Sequence, residues 1–188
     1  MGHVGLRYYL GGQCSGPGSR YVDVIDDFGN WRRELLLTGN IVQDDDVTTD
    51  RNEAVARQRR YIELLALVDG SEGQEVFQTL LASMQAEEDY EVYESTRRAL
   101  GRFRGDCFGR WFFDALPEFM RRRGEDDVDD FLSAIAAGHL GADAIIAFND
   151  AWASADPAWR DQLLELVFRL EHRGSLNTQG RSGKLRPA

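Results

Sequence analysis

Apolar positions recur at helical spacing along most of this chain. In "NEAVARQRRYIELLALV" Ala54, Ile62, Leu65 and Val68 fall near one stripe, and "DGSEG" ends the run. "QEVFQTLLASMQ" places Val76, Phe77, Leu80, Leu81 and Met84 on one face, and "VYESTRRALGRF" does the same with Tyr93, Thr96, Ala99, Leu100 and Phe103. "DCFGRWFFDALPEFMRRR" is apolar enough to be central, with Pro117 as the expected kink or break. "EDDVDDFLSAIAAG" caps and begins a further helix. "ADAIIAFNDAWASAD" and "PAWRDQLLELVFRLEHRG" form a last pair, Pro157 suiting a first turn and Gly174 a C-terminal stop. The polar stretch over 175–188 has little to bury and is expected to be a flexible tail.

The front of the chain follows another rhythm. "VGLRYYL" has the composition of a short strand, and "YVDVIDD" alternates well enough to be one. Gly29-Asn30 then reads as a turn. The second arm, "WRRELLL", is ambiguous, because Trp31, Leu35 and Leu36 also fit helical spacing. Strand is preferred, since "TGN" at 38–40 leaves a helix little length. Residues 1–46 are therefore expected to hold a small β-hairpin or short antiparallel sheet and a linker. Residues 47–174 are expected to form a helical domain joined to it in one compact unit. In the linker "QDDDVTTD", Thr48, Thr49 or Asp50 can cap the following helix.

Composition narrows the function classes. With 188 residues, 43% hydrophobic and 29% charged, the chain is long enough for one core without staples. No apolar run approaches the roughly 20 residues that cross a bilayer, and the start lacks a signal-peptide apolar stretch, so a cytoplasmic protein with no membrane role is expected. The formal charge of −10 lies almost wholly in the helical region, which disfavours nucleic-acid phosphates and favours a basic macromolecular partner. Only Lys184 among the 22 basic residues is lysine, a usage associated with GC-rich bacterial genes.

Motifs for chemistry are sparse. "QDDDVTTD" fails as a calcium loop, because the sixth and twelfth positions from Asp44 hold Thr49 and Val55 where Gly and Glu are needed. His3, His139 and His172 lie far apart and lack zinc spacing. There is no GxSxG, phosphate loop or GxGxxG. Cys14 and Cys107 are expected to be thiols rather than a disulfide, with Cys107 a small buried hydrophobe. Asp126 and Asp130 share a face at i,i+4, a placement open to acid–base work but ordinary for exposed caps. The expectation is no catalytic residue, no metal and no cofactor.

Two stretches repeat one form. "FQTLLASMQ-AEEDYE-VYESTRRALGRF" (77–103) and "FNDAWASAD-PAWRDQLLELVFRL" (148–170) each read as an apolar helix, a short turn and a second helix with early Arg and a Leu-rich end. The 77–103 stretch resembles a HEAT-type repeat, with "YESTRRALGRF" looking like the family's second helix. The resemblance implies Arg97 or Arg98 facing the inter-repeat turn, and stacked antiparallel helix pairs over about 50–174. An ordinary helical bundle remains the alternative. In organisation the chain is similar to bacterial immunity proteins, small acidic proteins that bind and neutralise a toxin domain. That resemblance implies a basic, nuclease-like toxin partner and no catalysis.

If the helices stack in order, turns joining alternate pairs collect on one edge. The candidate partner-binding residues are Glu87, Glu88 and Asp89 in one turn and Glu125, Asp126, Asp127, Asp129 and Asp130 at the start of a helix. Trp31, expected to be exposed beside its turn, and Trp159 join them as possible anchors, while Trp111, Phe112, Phe113 and Phe119 are assigned to the core. The competing functions are an enzyme-associated HEAT-like subunit or bilin-lyase-like protein, for which only Cys107 offers a reactive group, and a regulatory scaffold.

Overall fold

Asp27 settles the ambiguous second arm as helix. In the computed structural model, which describes residues 25, 27–43, 46–88, 91–174, 176 and 182–187, its carboxylate accepts the backbone N–H of Asn30 at 2.9 Å and caps α1 (Phe28–Thr38). Asn30 donates to Glu34 one turn on, and Trp31, Leu35 and Thr38 line up as a buried stripe. The expected strand over 31–37 is thus corrected to helix: a cap and an amphipathic stripe outweigh the turn signal of Gly29-Asn30. No strand occurs among the described residues, and "VGLRYYL" and nearly all of "YVDVIDD" lie outside them.

Six helices follow among the described residues: α2 (Arg51–Ala66), α3 (Gln74–Ser83), α4 (Tyr93–Leu100), α5 (Gly105–Ala136), α6 (Ala142–Ala153) and α7 (Pro157–Arg173). Asp50, of the three candidates, caps α2; Asp156 caps α7, with Pro157 in its first turn and Gly174 left-handed at its end. The protein is mainly α-helical, as expected. The buried faces of α3 and α4 are those the spacing predicts. On α2, Tyr61, Leu64 and Leu65 are buried whereas Ile62 faces out at 43% exposure, one position round from the expected stripe.

Neighbouring helices pack side by side. Arg60 of α2 meets Glu34 of α1 at 2.7 Å and the Trp31 indole N–H donates to Leu64 O at 3.1 Å, so α2 runs back along α1. α3 runs in the direction of α1: the Gln85 side chain, just past its end, donates to Leu36 O near the end of α1. α4 follows α2, with Tyr61 against Thr96 and Arg102 donating to Val68 O. α5 is itself a pair. Gly124 leaves helical geometry at φ 82°, and Phe131 of the second arm packs on Phe108, Phe112 and Phe119 of the first at centroid distances of 6.4, 5.0 and 5.4 Å. The reversal lies at Gly124 and not at the expected Pro117, because only glycine adopts that positive φ cheaply, while Pro117 sits within the helix. α6 then lies against the first arm, where a Cβ on Gly109 would drive into the Ala144 carbonyl oxygen.

The hydroxyls of Tyr61 and Tyr93, buried between pairs, are hydrogen-bonded. The Tyr61 hydroxyl meets Ser83 and Thr96 hydroxyls, each at 2.7 Å, and burial pushes its phenol up to about 12. The Tyr93 hydroxyl accepts the N–H groups of Gln85 (2.8 Å) and Ala86 (2.7 Å) and donates to Gly39 O (2.7 Å). At the C-terminal end, Leu176 and Leu185 are buried at 1% exposure. Arg186 pairs with Glu171 at 2.6 Å and lies over Phe168, and Asn149 clasps the backbone of Lys184 and Arg186. Residues 182–187 are therefore docked on α6 and α7, where a flexible tail was expected; two leucines give this polar stretch an apolar footing.

Tyr93→Phe removes one hydroxyl but strands two backbone N–H groups, so it is expected to cost about 2 kcal/mol in urea unfolding. Gly109→Ala is expected to cost about 3 kcal/mol by overpacking, with the helical circular dichroism retained. Burial works against Glu171, but Arg186, the Gly183 N–H and Ser182 outweigh it and hold its carboxyl below the usual range. A depressed folded pKa stabilises above the unfolded value, so docking of 182–187 is expected to weaken as pH falls through the lowered Glu171 value, read as loss of amide protection at Gly183 and Arg186 relative to the intrinsic exchange rate at each pH.

Candidate binding surface

Three links bring the turns within pairs onto one edge. Tyr93 ties the end of α1 at Gly39 to the segment after α3. Gln43 exchanges two hydrogen bonds with the backbone of Glu88, each at 3.0 Å. The Arg123 guanidinium donates to Ala86 O on one side and grips Asp127 at 2.8 Å on the other, so a single side chain spans the turn after α3 and the turn inside α5. The two acidic stretches picked out in the sequence are thereby neighbours in space.

The acids on this edge divide into two kinds. Asp127 has a side chain only 17% exposed and is held by Arg123 and by Arg97 at 3.3 Å. Arg123 is itself 9% exposed and stacks over the Tyr93 ring at 5.3 Å. Asp127 is therefore part of the packing, a largely inward-facing carboxylate held between two guanidinium groups. Glu125 is drawn towards α7 by Arg169 (2.7 Å) and Arg173 (3.5 Å). Glu87, Glu88 and Asp126 are exposed, and Asp129 is half-buried, accepting from the Ser133 hydroxyl at 3.2 Å. Asp130 reaches Arg97 at 3.2 Å with 64% of its side chain exposed. Partial burial and then its carboxylate neighbours Asp127, Asp129 and Asp126 raise its pKa against the pull of Arg97. Asp89 lies outside the described residues.

The two tryptophans do not join them as exposed anchors. Trp31, expected to be exposed, is 3% exposed, stacks with Phe28 and bonds to Leu64 O; becoming helical turned its ring into the α1–α2 contact. Trp159 is half-buried against the core at the start of α7, away from the turn edge just described, while Trp152 is fully buried and donates to Arg160 O at 3.2 Å. Phe112, Phe113 and Phe119 are core, with Trp111 half-buried against it.

For chemistry, the described residues contain no group of three His, Cys, Asp or Glu side chains placed to hold a metal ion. Cys107 is 3% exposed within α5. The pairing of Arg97 with Asp127 escaped the sequence reading, since it joins residues 30 positions apart, whereas Arg123 meets Asp127 locally at i,i+4. Comparison with protein-family models, curated proteins and solved structures finds no match.

Removing the Asp127 charge is expected to cost roughly 2 kcal/mol, because it leaves the nearly buried Arg123 cation without its carboxylate. Asp126→Asn is expected to change stability by less than about 0.5 kcal/mol. Chemical denaturation of the two variants side by side checks the division.

Proposed function

We propose that this protein is a non-enzymatic protein-binding module, most concretely a bacterial immunity protein. It binds a cognate toxin domain with a basic, nuclease-like surface and occludes it with the acidic edge. The observation that carries this reading is the meeting of the exposed Glu87 and Glu88 with Asp126 and Asp130 across the Arg123 bridge. Such an edge attracts a basic partner at long range and repels phosphate backbones. The side-by-side helix pairs, with α5 folded back at Gly124 as one of them, support a HEAT-like stack over a simple bundle. A cytoplasmic location belongs to the same reading; no described helix is long and apolar enough to cross a membrane.

The enzyme-associated or lyase-like alternative needs a reactive group in an accessible pocket. Cys107, its one candidate, lies within α5 at 3% exposure, where a substrate has no path to the sulfur without opening the core. A regulatory scaffold with another basic partner would use the same edge.

Co-expression with a toxin domain encoded next to this protein's gene is expected to restore growth. Replacing Glu87 and Glu88 with Gln and Asp126 and Asp130 with Asn is expected to slow association about tenfold or more at low salt, with little effect at high salt. Association that is unchanged at low salt would place the interface elsewhere. Failure to protect against the neighbouring domain, with the chain folded, would remove the immunity reading.

A further inference from the structure

Residues 182–187 carry one large apolar side chain, Leu185, and it is buried at 1% exposure where the segment docks on α6 and α7. The contacts that hold it have the form of a recognition site. The Asn149 side-chain amide donates to Lys184 O at 2.8 Å and accepts from the Arg186 N–H at 3.1 Å. These two bonds bracket position 185 and read backbone alone, whatever side chains the segment carries. The remaining contacts read identity. Leu185 fills the apolar seat, while the Arg186 guanidinium meets Glu171 at 2.6 Å and lies over the Phe168 ring, 4.9 Å from its centroid. Glu171 also accepts the Gly183 N–H at 2.9 Å, with the Ser182 hydroxyl farther off at 3.5 Å. The Glu171 side chain is 13% exposed, so an acid in place of Arg186 would face a carboxylate that water screens poorly.

The segment is held lightly for a piece of core. One buried leucine, one ion pair and a few hydrogen bonds work against the entropy of ordering six residues, and the two sides are of similar size. Nor does the segment cover all the apolar surface at its seat. Ile146 stands three positions before Asn149 on α6, and Phe168 three before Glu171 on α7, so each shares a helix face with one of the contact residues. With the segment in place they are still 58% and 51% exposed. A segment arriving from another protein can therefore make every contact the tethered one makes and cover Ile146 or Phe168 besides.

We propose that α6 and α7 form a docking site for a protein partner's segment carrying adjacent Leu and Arg flanked by further apolar residues, and that residues 182–187 occupy this site as a built-in competitor. The seated segment commits the occupant, because its leucine and arginine are what the apolar seat, Glu171 and Phe168 match. A tethered segment acts at an effective concentration on the order of millimolar, so a partner displaces it only by adding contacts. The site uses none of the turn-edge acids and stands whether or not that edge binds a toxin.

The test is an amide NMR titration of the full chain and of its Leu185→Ser, Arg186→Ser variant, in which the seat itself is unchanged. The blocked peptides are Gly-Lys-Leu-Arg-Pro, a leucine-extended Leu-Gly-Lys-Leu-Arg-Pro-Leu, and a control with Ser-Ser for Leu-Arg. The short peptide is expected to shift the amides of Asn149 and Glu171 and to bind the variant about tenfold more tightly than the wild-type chain. That is the ratio of a millimolar tether to a peptide affinity on the order of 100 µM. The extended peptide is expected to bind about fivefold more tightly than the short one, and to release the amide protection of Gly183 and Arg186 in the wild-type chain. Adding Glu171→Gln to the variant should erase its preference for Arg over Gln in the peptide, and substitutions at Glu87, Glu88 and Asp126 should leave that preference intact. No shift at millimolar peptide in the folded variant, equal affinity for variant and wild type, or a control that binds as well overturns the proposal. Should the variant not fold, the wild-type chain decides: Gly183 and Arg186 amides that stay protected under saturating extended peptide overturn it. A wild-type chain that binds neither peptide and dimerises through residues 182–187 also overturns it, in favour of exchange between two copies.

Discussion

Each helix ends in carbonyl groups that its own backbone leaves without donors, and the packing of this chain depends on what supplies them. Long side chains from neighbouring helices do much of it. Arg122 donates to Leu81 and Ala82 at the end of α3, and Arg123 to Ala86 just beyond. Arg102 reaches Leu65 and Val68 at the end of α2, where the Trp31 indole takes Leu64. Arg160 reaches Ala153 at the end of α6. A guanidinium suits this task because it offers several donors in a fixed fork and places positive charge at the negative end of a helix dipole. The same bonds that satisfy one helix fix the position of the next.

This arrangement explains why the sequence was readable in some places and opaque in others. Helices α3 and α4 could be located with their buried faces because each carries a complete apolar stripe, from Val76 to Leu81 and from Tyr93 to Leu100. The ends of α7 were legible from Pro157 and Gly174 for equally local reasons. α1 was not, since its helical state rests on the Asp27 cap and on burial of Trp31 beneath α2, and the second of these is a contact across 33 positions. The turn inside α5 was misplaced for the opposite reason. Proline is the stronger helix breaker on average, but a full reversal needs a positive φ, and Gly124 supplies it. Leu176 and Leu185 looked like isolated apolar residues in a polar stretch, and only the surfaces of α6 and α7 give them somewhere to go.

The candidate surface was legible as composition but not as role. Nothing in "EDDVDD" distinguishes Asp127 from Asp126, yet one is held by two guanidinium groups and the other is exposed.

The division among the acids also bears on how such a surface can change its partner. Where one residue both holds the core and meets a ligand, a substitution that improves recognition carries a cost in stability. Here Arg97 and Arg123 draw Asp127 inward and complete the joint between α4 and α5, while the neighbouring Asp126 and the Glu87–Glu88 pair remain outside that joint. Charge on the rim can therefore vary in number and position while the bonds that order the turns stay in place. On the proposed function, in which this rim meets a basic partner, charges there act mainly on encounter and on rejection of wrong partners, so such variation would alter selectivity more than the fold.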